Sequence, residues 1–181
     1  MIDISVTLIQ DVLRHCVGVP KHIVKDAISE GLRRFCIESQ LWEETQRLDA
    51  QNETVIVYPN DPQHTAIAGV VKVTHVNGYG EIPALYKGGK LVFNRPINGD
   101  IMATFAICNN KMADETLCPS WLYQQHSEAV INYAVYYIKT QQGTPWLDQP
   151  GAGFHFAEYR NALGEARQMT SSDVVTMNPW V

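Results

Sequence analysis

The sequence predicts an α+β fold that is mainly helical: a bundle of N- and C-terminal helices, a small antiparallel β insert and an extended C-terminal tail. Three observations carry this expectation. Apolar residues recur at helical spacing after Pro20 and again after Pro119. Between them, β-branched runs are separated by tight-turn signals at Asn77-Gly78-Tyr79-Gly80, Gly88-Gly89 and Asn98-Gly99. Beyond residue 170 neither pattern persists. No repeat or linker divides the chain, so one domain is expected over 1–181. Its parts are N-terminal helices in 1–50, the β insert in 51–110, C-terminal helices in 117–170 and the tail in 171–181.

Taken in order, Thr7 to Gln10 reads as a capping box, with Leu8, Val12 and Leu13 following at helical spacing and Gly18 closing the helix. Pro20 suits the start of a second helix, because its missing N–H has no helical partner there. That helix is expected from Lys21 to about Gln46, with Ile23, Ala27, Ile28, Leu32, Phe35 and Trp42 on its apolar face. Thr54–Tyr58 reads as a strand that stops at Pro59-Asn60-Asp61-Pro62. Ala66–Val76 alternates, with Val71, Val73 and His75 against Lys72, Thr74 and Val76. Ile82–Tyr86 and Lys90–Asn94 form a hairpin across Gly88-Gly89, and Asp100–Ile107 is the fifth strand. Ser120 caps a helix from Trp121 to about Thr140, whose inner face carries Leu122, Ala129, Val130, Tyr133, Tyr136 and Tyr137. Gly143, Pro145 and Pro150 set a loop, and Phe156, Tyr159, Leu163 and Ala166 mark a last helix to about Met169.

Composition excludes several function classes. Hydrophobic residues make up 45% of the 181 and charged residues only 18%, below a typical ~25%, so a disordered chain is excluded. Low charge also fits a surface that becomes covered. Against 19 acidic residues stand 14 basic ones with no basic run, which argues against a nucleic-acid module needing clustered Lys and Arg. Ala129–Ile138 and Ile101–Cys108 fall short of the ~18–20 residues that cross a bilayer, so no membrane role is expected. Met1 to Ser5 shows no basic stretch leading into an apolar core, and synthesis and use in a cytoplasm are expected.

Catalytic patterns are equally sparse. Cys16, Cys36, Cys108 and Cys118 form no CxxC pair and are expected as buried free thiols. His15, His22, His64, His75, His126 and His155 stand in no metal-binding spacing, so neither metal nor cofactor is expected. There is no GxSxG elbow, and the acids of Glu43-Glu44 and Asp114-Glu115 are sequence neighbours that point to different sides of a helix. The glycine clusters lie in strand turns, not in strand-to-helix phosphate loops. The expectation is a protein that is not an enzyme. Two surfaces suggest contacts instead. One is the tail, where Val174, Val175, Met177, Pro179, Trp180 and Val181 present apolar side chains near a terminus. The other is the sheet tips at Tyr79, Gly88 and Gly89, since exposed turns carry contacts.

Three stretches in fixed order resemble the head–tail adaptor (connector) proteins of tailed bacteriophages and prophages. Ile23–Trp42 resembles that family's opening helix, with its small-residue face, phenylalanine, Cys-x-Glu-Ser and final Leu-Trp. Trp121–Trp146 places Trp121, Tyr123, Glu128-Ala129, Tyr133-Ala134 and Gln142-Gly143-x-Pro145-Trp146 in the family's order. Phe156–Arg167 ends in Leu-x-x-Ala-Arg. Gly151-Ala152-Gly153 and the short tail depart from the pattern.

The resemblance implies a structural protein of the virion neck, made in the host bacterial cytoplasm. It implies a ring, commonly of twelve copies, that docks on the portal protein and extends the DNA channel. Genomic DNA passes without specific binding, and the ring is the platform for a tail or nozzle protein. Carried over, Val174, Val175, Met177, Pro179, Trp180 and Val181 would dock on the portal, with Trp180 as the aromatic anchor. Tyr79, Gly88 and Gly89 would meet a neighbouring subunit or the tail. Two readings compete: a head-completion or stopper protein further down the neck, and a small cytoplasmic enzyme with a cleft between bundle and sheet. Rings use heterologous contacts, for which helices from both chain ends supply faces. A net-negative wall suits a DNA conduit because it repels phosphate.

Overall fold

A computed structural model describes residues 1–77 and 80–171. Ile2–Asp3 (β1) pairs antiparallel with Leu117–Cys118 (β8). Asp3 then caps a one-turn helix, Ile4–Thr7 (α1), its carboxylate accepting from the Ser5 N–H at 2.9 Å. Leu8 joins α1 to Ile9–His15 (α2). The capping box expected at Thr7 does not form: Thr7 lies inside α1 and its hydroxyl donates to the Asp3 carbonyl at 2.9 Å. Asp3 wins because its acceptor lies one turn nearer the start, where the free amides are.

The long helix Lys21–Ser39 (α3) follows Pro20 and ends at Gln40, whose φ of 56° is left-handed. It therefore stops short of Gln46. Glu43–Ala50 (β2) is a strand instead, paired antiparallel along its whole length with the first eight residues of Gly99–Asn109 (β7), from Glu43↔Ala106 to Ala50↔Gly99. Thr65–His75 (β4) flanks β7 on the other side, giving the order β2-β7-β4. Two register shifts, between Ile67 and Gly69 and between Val70 and Lys72, interrupt β4. They break the simple alternation expected there: Val73 is buried, Val71 is half-buried and His75 is exposed. Thr54–Ile56 (β3), Ala84–Lys87 (β5) and Lys90–Phe93 (β6) form a second three-stranded sheet in the order β3-β6-β5. The two sheets enclose a core of their own, built from Val57, Val73, Leu91, Phe93, Ile101 and Phe105 among others.

The helices build two further cores. Ser120–Lys139 (α4) packs against α2 and α3 around Leu8, Val12, Val24, Ile28, Leu32 and Val135, with α1 seated on α3. Gln149–Ser171 (α5) closes on α3 and α4 around Phe35, Ala129, Tyr133, Tyr159, Leu163 and Ala166. The last helix begins earlier than Phe156. Asp148 caps it, Oδ1 accepting from the Gly151 N–H at 3.0 Å while Oδ2 accepts from Lys139 Nζ at 2.9 Å. Pro150 sits in the first turn, where it is tolerated. The expected loop therefore shrinks to the turn after α4, against which Trp146 is half-buried.

The expectation of a mainly helical bundle carrying a small β insert is overturned. The described residues are 43% helical and 28% strand, with three antiparallel sheets among them, and they do not form a helical bundle. Physically, the helical reading of Leu41–Gln46 removed β2 from the sheet. With β2 beside them, β4 and β7, each of 11 residues, frame a separate core instead of a small insert. β7 ties the parts together. Ile101, Ala103 and Phe105 face the second sheet, whereas the continuously buried run Ala106–Asn109 also lies under α3. There, Asn109 Nδ2 donates to Ser29 Oγ at 2.9 Å.

Candidate functional site

Of the residues singled out from the sequence, Tyr79, Val174, Val175, Met177, Pro179, Trp180 and Val181 lie outside the described residues. Gly88 and Gly89 fall where expected, in the two-residue turn between β5 and β6, with φ of 59° and 77°. Two consecutive positive φ values match the twist of a tight hairpin and strain any residue with a side chain.

The strand register sorts the hairpin's side chains between two faces. Val55, Tyr86 and Leu91 stand side by side on the inner face, where Leu91 is fully buried and the Tyr86 ring meets Phe105 edge-on at 6.5 Å. Ile56, Lys90 and Lys87 form a row on the outer face, next to a row of Thr54, Val92 and Leu85. Ile56 is 60% exposed and Leu85 68% exposed, and Tyr58, just past β3, is 69% exposed. An apolar strip thus lies in water beside two exposed lysines that are direct cross-strand partners. Such partners have Cβ atoms about 5 Å apart, and like charges there repel.

A groove of about 500 Å³ lies on the helical side of the molecule, between α2, α4 and α5. Leu8, Tyr123 and Ile131 give it an apolar floor, and Phe154, 63% exposed, stands at its edge. Arg14 at its wall is paired with Asp11 at 2.9 Å. Glu128 of α4 and Glu158 of α5 also line it, both exposed and without an ion pair among the described residues. At the back, His155 is buried, with Nδ1 hydrogen-bonded to Asn132 Oδ1 at 2.7 Å and the His15 ring 5.0 Å away edge-on. Burial, then the neighbouring His15 and Lys139, push its pKa below the ordinary histidine value, while Asp148 opposes them.

The remaining chemistry-bearing residues belong to the packing. All four cysteines are buried and unpaired, and burial raises each thiol pKa, Cys118 to about 11. Thiols held protonated are poor nucleophiles. Among the described residues no group of three or more His, Cys, Asp and Glu side chains is placed to hold a metal ion, and no helix is long and apolar enough to cross a membrane. Tyr133 is buried and meets Tyr136 and Tyr159 edge-on at 5.7 and 5.0 Å, but Tyr137 faces outward instead of joining the inner face. The chemistry this arrangement offers is apolar contact and ion pairing. None of Ile56, Leu85, Glu128 and Glu158 was singled out from the sequence as a contact residue, although Glu128 stands in the second resembling stretch. A readable signal did exist for part of this surface: lysines at both shoulders of a Gly-Gly turn. No known family model matches the chain, and no curated protein matches it in sequence.

Proposed function

We propose that this chain is a structural protein of the phage virion neck, a ring-forming head–tail adaptor that docks on the portal, extends the DNA channel and carries the tail. Its role is assembly, not chemistry. The observation that carries this reading is the exposure of large apolar side chains on both the sheet and the helical parts of the chain. Ile56 and Leu85 stand on the outer sheet face with Tyr58 just past β3, and Phe154 and Trp121 stand on α5 and α4. Two unlike sticky surfaces suit head-to-tail contacts, which close into rings. The order and spacing of the three resembling stretches, which contribute α3, α4 and α5, add support. A formal net charge of −5 suits a channel that must not retain DNA.

The test is co-sedimentation with the portal protein of the same genome, read by gradient and negative-stain images, for the full chain and for a chain lacking residues 174–181. The full chain is expected to co-migrate and add a ring beneath the portal. The truncated chain is expected to melt like the full one, since the described cores close by Ala166, and to lose portal binding. Normal binding by the truncated chain overturns the tail's docking role. Failure of the full chain to bind a well-formed portal ring overturns the adaptor assignment.

A further inference from the structure

We infer that the β5–β6 hairpin of one copy seats in the groove between α2, α4 and α5 of the next copy, with Lys87 and Lys90 meeting Glu128 and Glu158. This deepens the ring-forming reading and rests on it. Each surface carries two like charges without an ion-pair partner among the described residues, and the two surfaces are of opposite sign. Lys87 and Lys90 are direct cross-strand partners on the shoulders of the turn, both exposed and in no ion pair among the described residues. Glu128 and Glu158 converge from α4 and α5 on one groove and are equally unpaired, because Arg14 there is taken by Asp11.

The apolar parts match as well. Ile56 stands directly beside Lys90 in the strand register, and Leu85 is one row behind Lys87. Beside the glutamates the groove offers exposed Phe154 and its floor of Leu8 and Ile131. A narrow turn of two glycines is convex and carries no side chain of its own, so it can enter a cleft that a bulkier loop would not. The two surfaces differ, so the contact is head-to-tail and leaves a free hairpin on one end and a free groove on the other. Such a contact grows until it closes on itself. Opposed charges at the rim also steer encounter, so assembly should weaken as salt rises.

Charge reversal in two separate proteins tests this. One carries Lys87→Glu with Lys90→Glu, the other Glu128→Lys with Glu158→Lys, and each is checked by circular dichroism. Self-association is followed by sedimentation velocity and native mass spectrometry across a wide concentration range, alone and on the portal. Each variant alone is expected to associate about a hundredfold more weakly than wild type, since like-charge juxtaposition costs several kcal/mol. An equimolar mixture of the two is expected to regain assembly, because every hairpin then meets a groove of opposite sign. A folding defect cannot produce that rescue. Wild-type association by both variants, or two folded variants that do not associate even when mixed, overturns this interface and leaves the ring reading standing. A wild-type chain that stays monomeric at every concentration and on the portal overturns both.

Discussion

His155 sits where three elements meet. It projects from α5, hydrogen-bonds Asn132 of α4 and lies edge-on to His15 of α2, with Lys139 and Asp148 close by. Protonation there would add charge to a buried ring already facing His15 and Lys139. His126, buried with its ring 5.0 Å from that of Phe35, is depressed by burial too, with Glu165 opposing. Both residues prefer to be neutral in the folded chain, while in the unfolded chain they take up protons near the ordinary value of about 6.5. The unfolded state therefore binds more protons, and stability is full above about pH 6.5 and declines as pH falls through that value. Asp148, held low chiefly by its hydrogen bond from Lys139, loses its contribution in a separate window below about pH 4. Urea midpoints measured from pH 7 down to pH 5 are expected to fall, and a chain carrying His155→Gln and His126→Gln is expected to show a flatter profile. A wild-type midpoint independent of pH in that range contradicts this account.

Between elements, the backbones of α3 and α4 come close together at Gly31. A Cβ there would stand 2.9 Å from the carbonyl oxygen of Val130, a backbone atom that cannot rotate aside. Gly31→Ala gains about 1 kcal/mol of helix propensity but forces the helices apart, at a cost of about 1–3 kcal/mol. A net loss of up to about 2 kcal/mol in chemical denaturation is expected; a more stable variant would show that α4 yields freely. The helices themselves were legible because their apolar faces repeat: Ala27, Ile28, Leu32 and Phe35 are buried as their spacing predicts. The strand Glu43–Ala50 was not. Its half-buried positions are Glu44, Gln46 and Leu48, so only one apolar residue marks the inward side before Ala50. The polar groups are satisfied locally instead. Glu44 accepts from the side chain of Gln46 and from the Asn60 N–H, and Arg47 reaches Asp100 across the pair. Hydropathy is silent about such a strand, and Trp42 at helical spacing drew the reading the wrong way. At the hairpin, Gly88-Gly89 announced the turn, but which of Val55 and Ile56 faces outward depends on register with β6, whose partners lie 34 to 38 residues further along the chain.

Across the whole molecule, β7 joins the sheet core to the first helix core, with Ile107 in one and Cys108 in the other, and α3 and α4 carry residues of both helix cores. Losing either core removes a packed face from the same strand. Heating or urea is therefore expected to produce one transition, with far-ultraviolet circular dichroism and tryptophan fluorescence changing together. Two separated transitions would mean that the sheets and helices unfold independently. The doubly enclosed run Ala106–Asn109 has a further consequence for how related sequences diverge. A residue there must suit a helix on one side and a sheet on the other, so any replacement needs partners to change on both. The hairpin turn and the first residues of β7 carry no such double obligation. Across relatives, drift is expected to slow sharply within a few residues along this one strand, and that boundary would trace the join between the two halves of the fold.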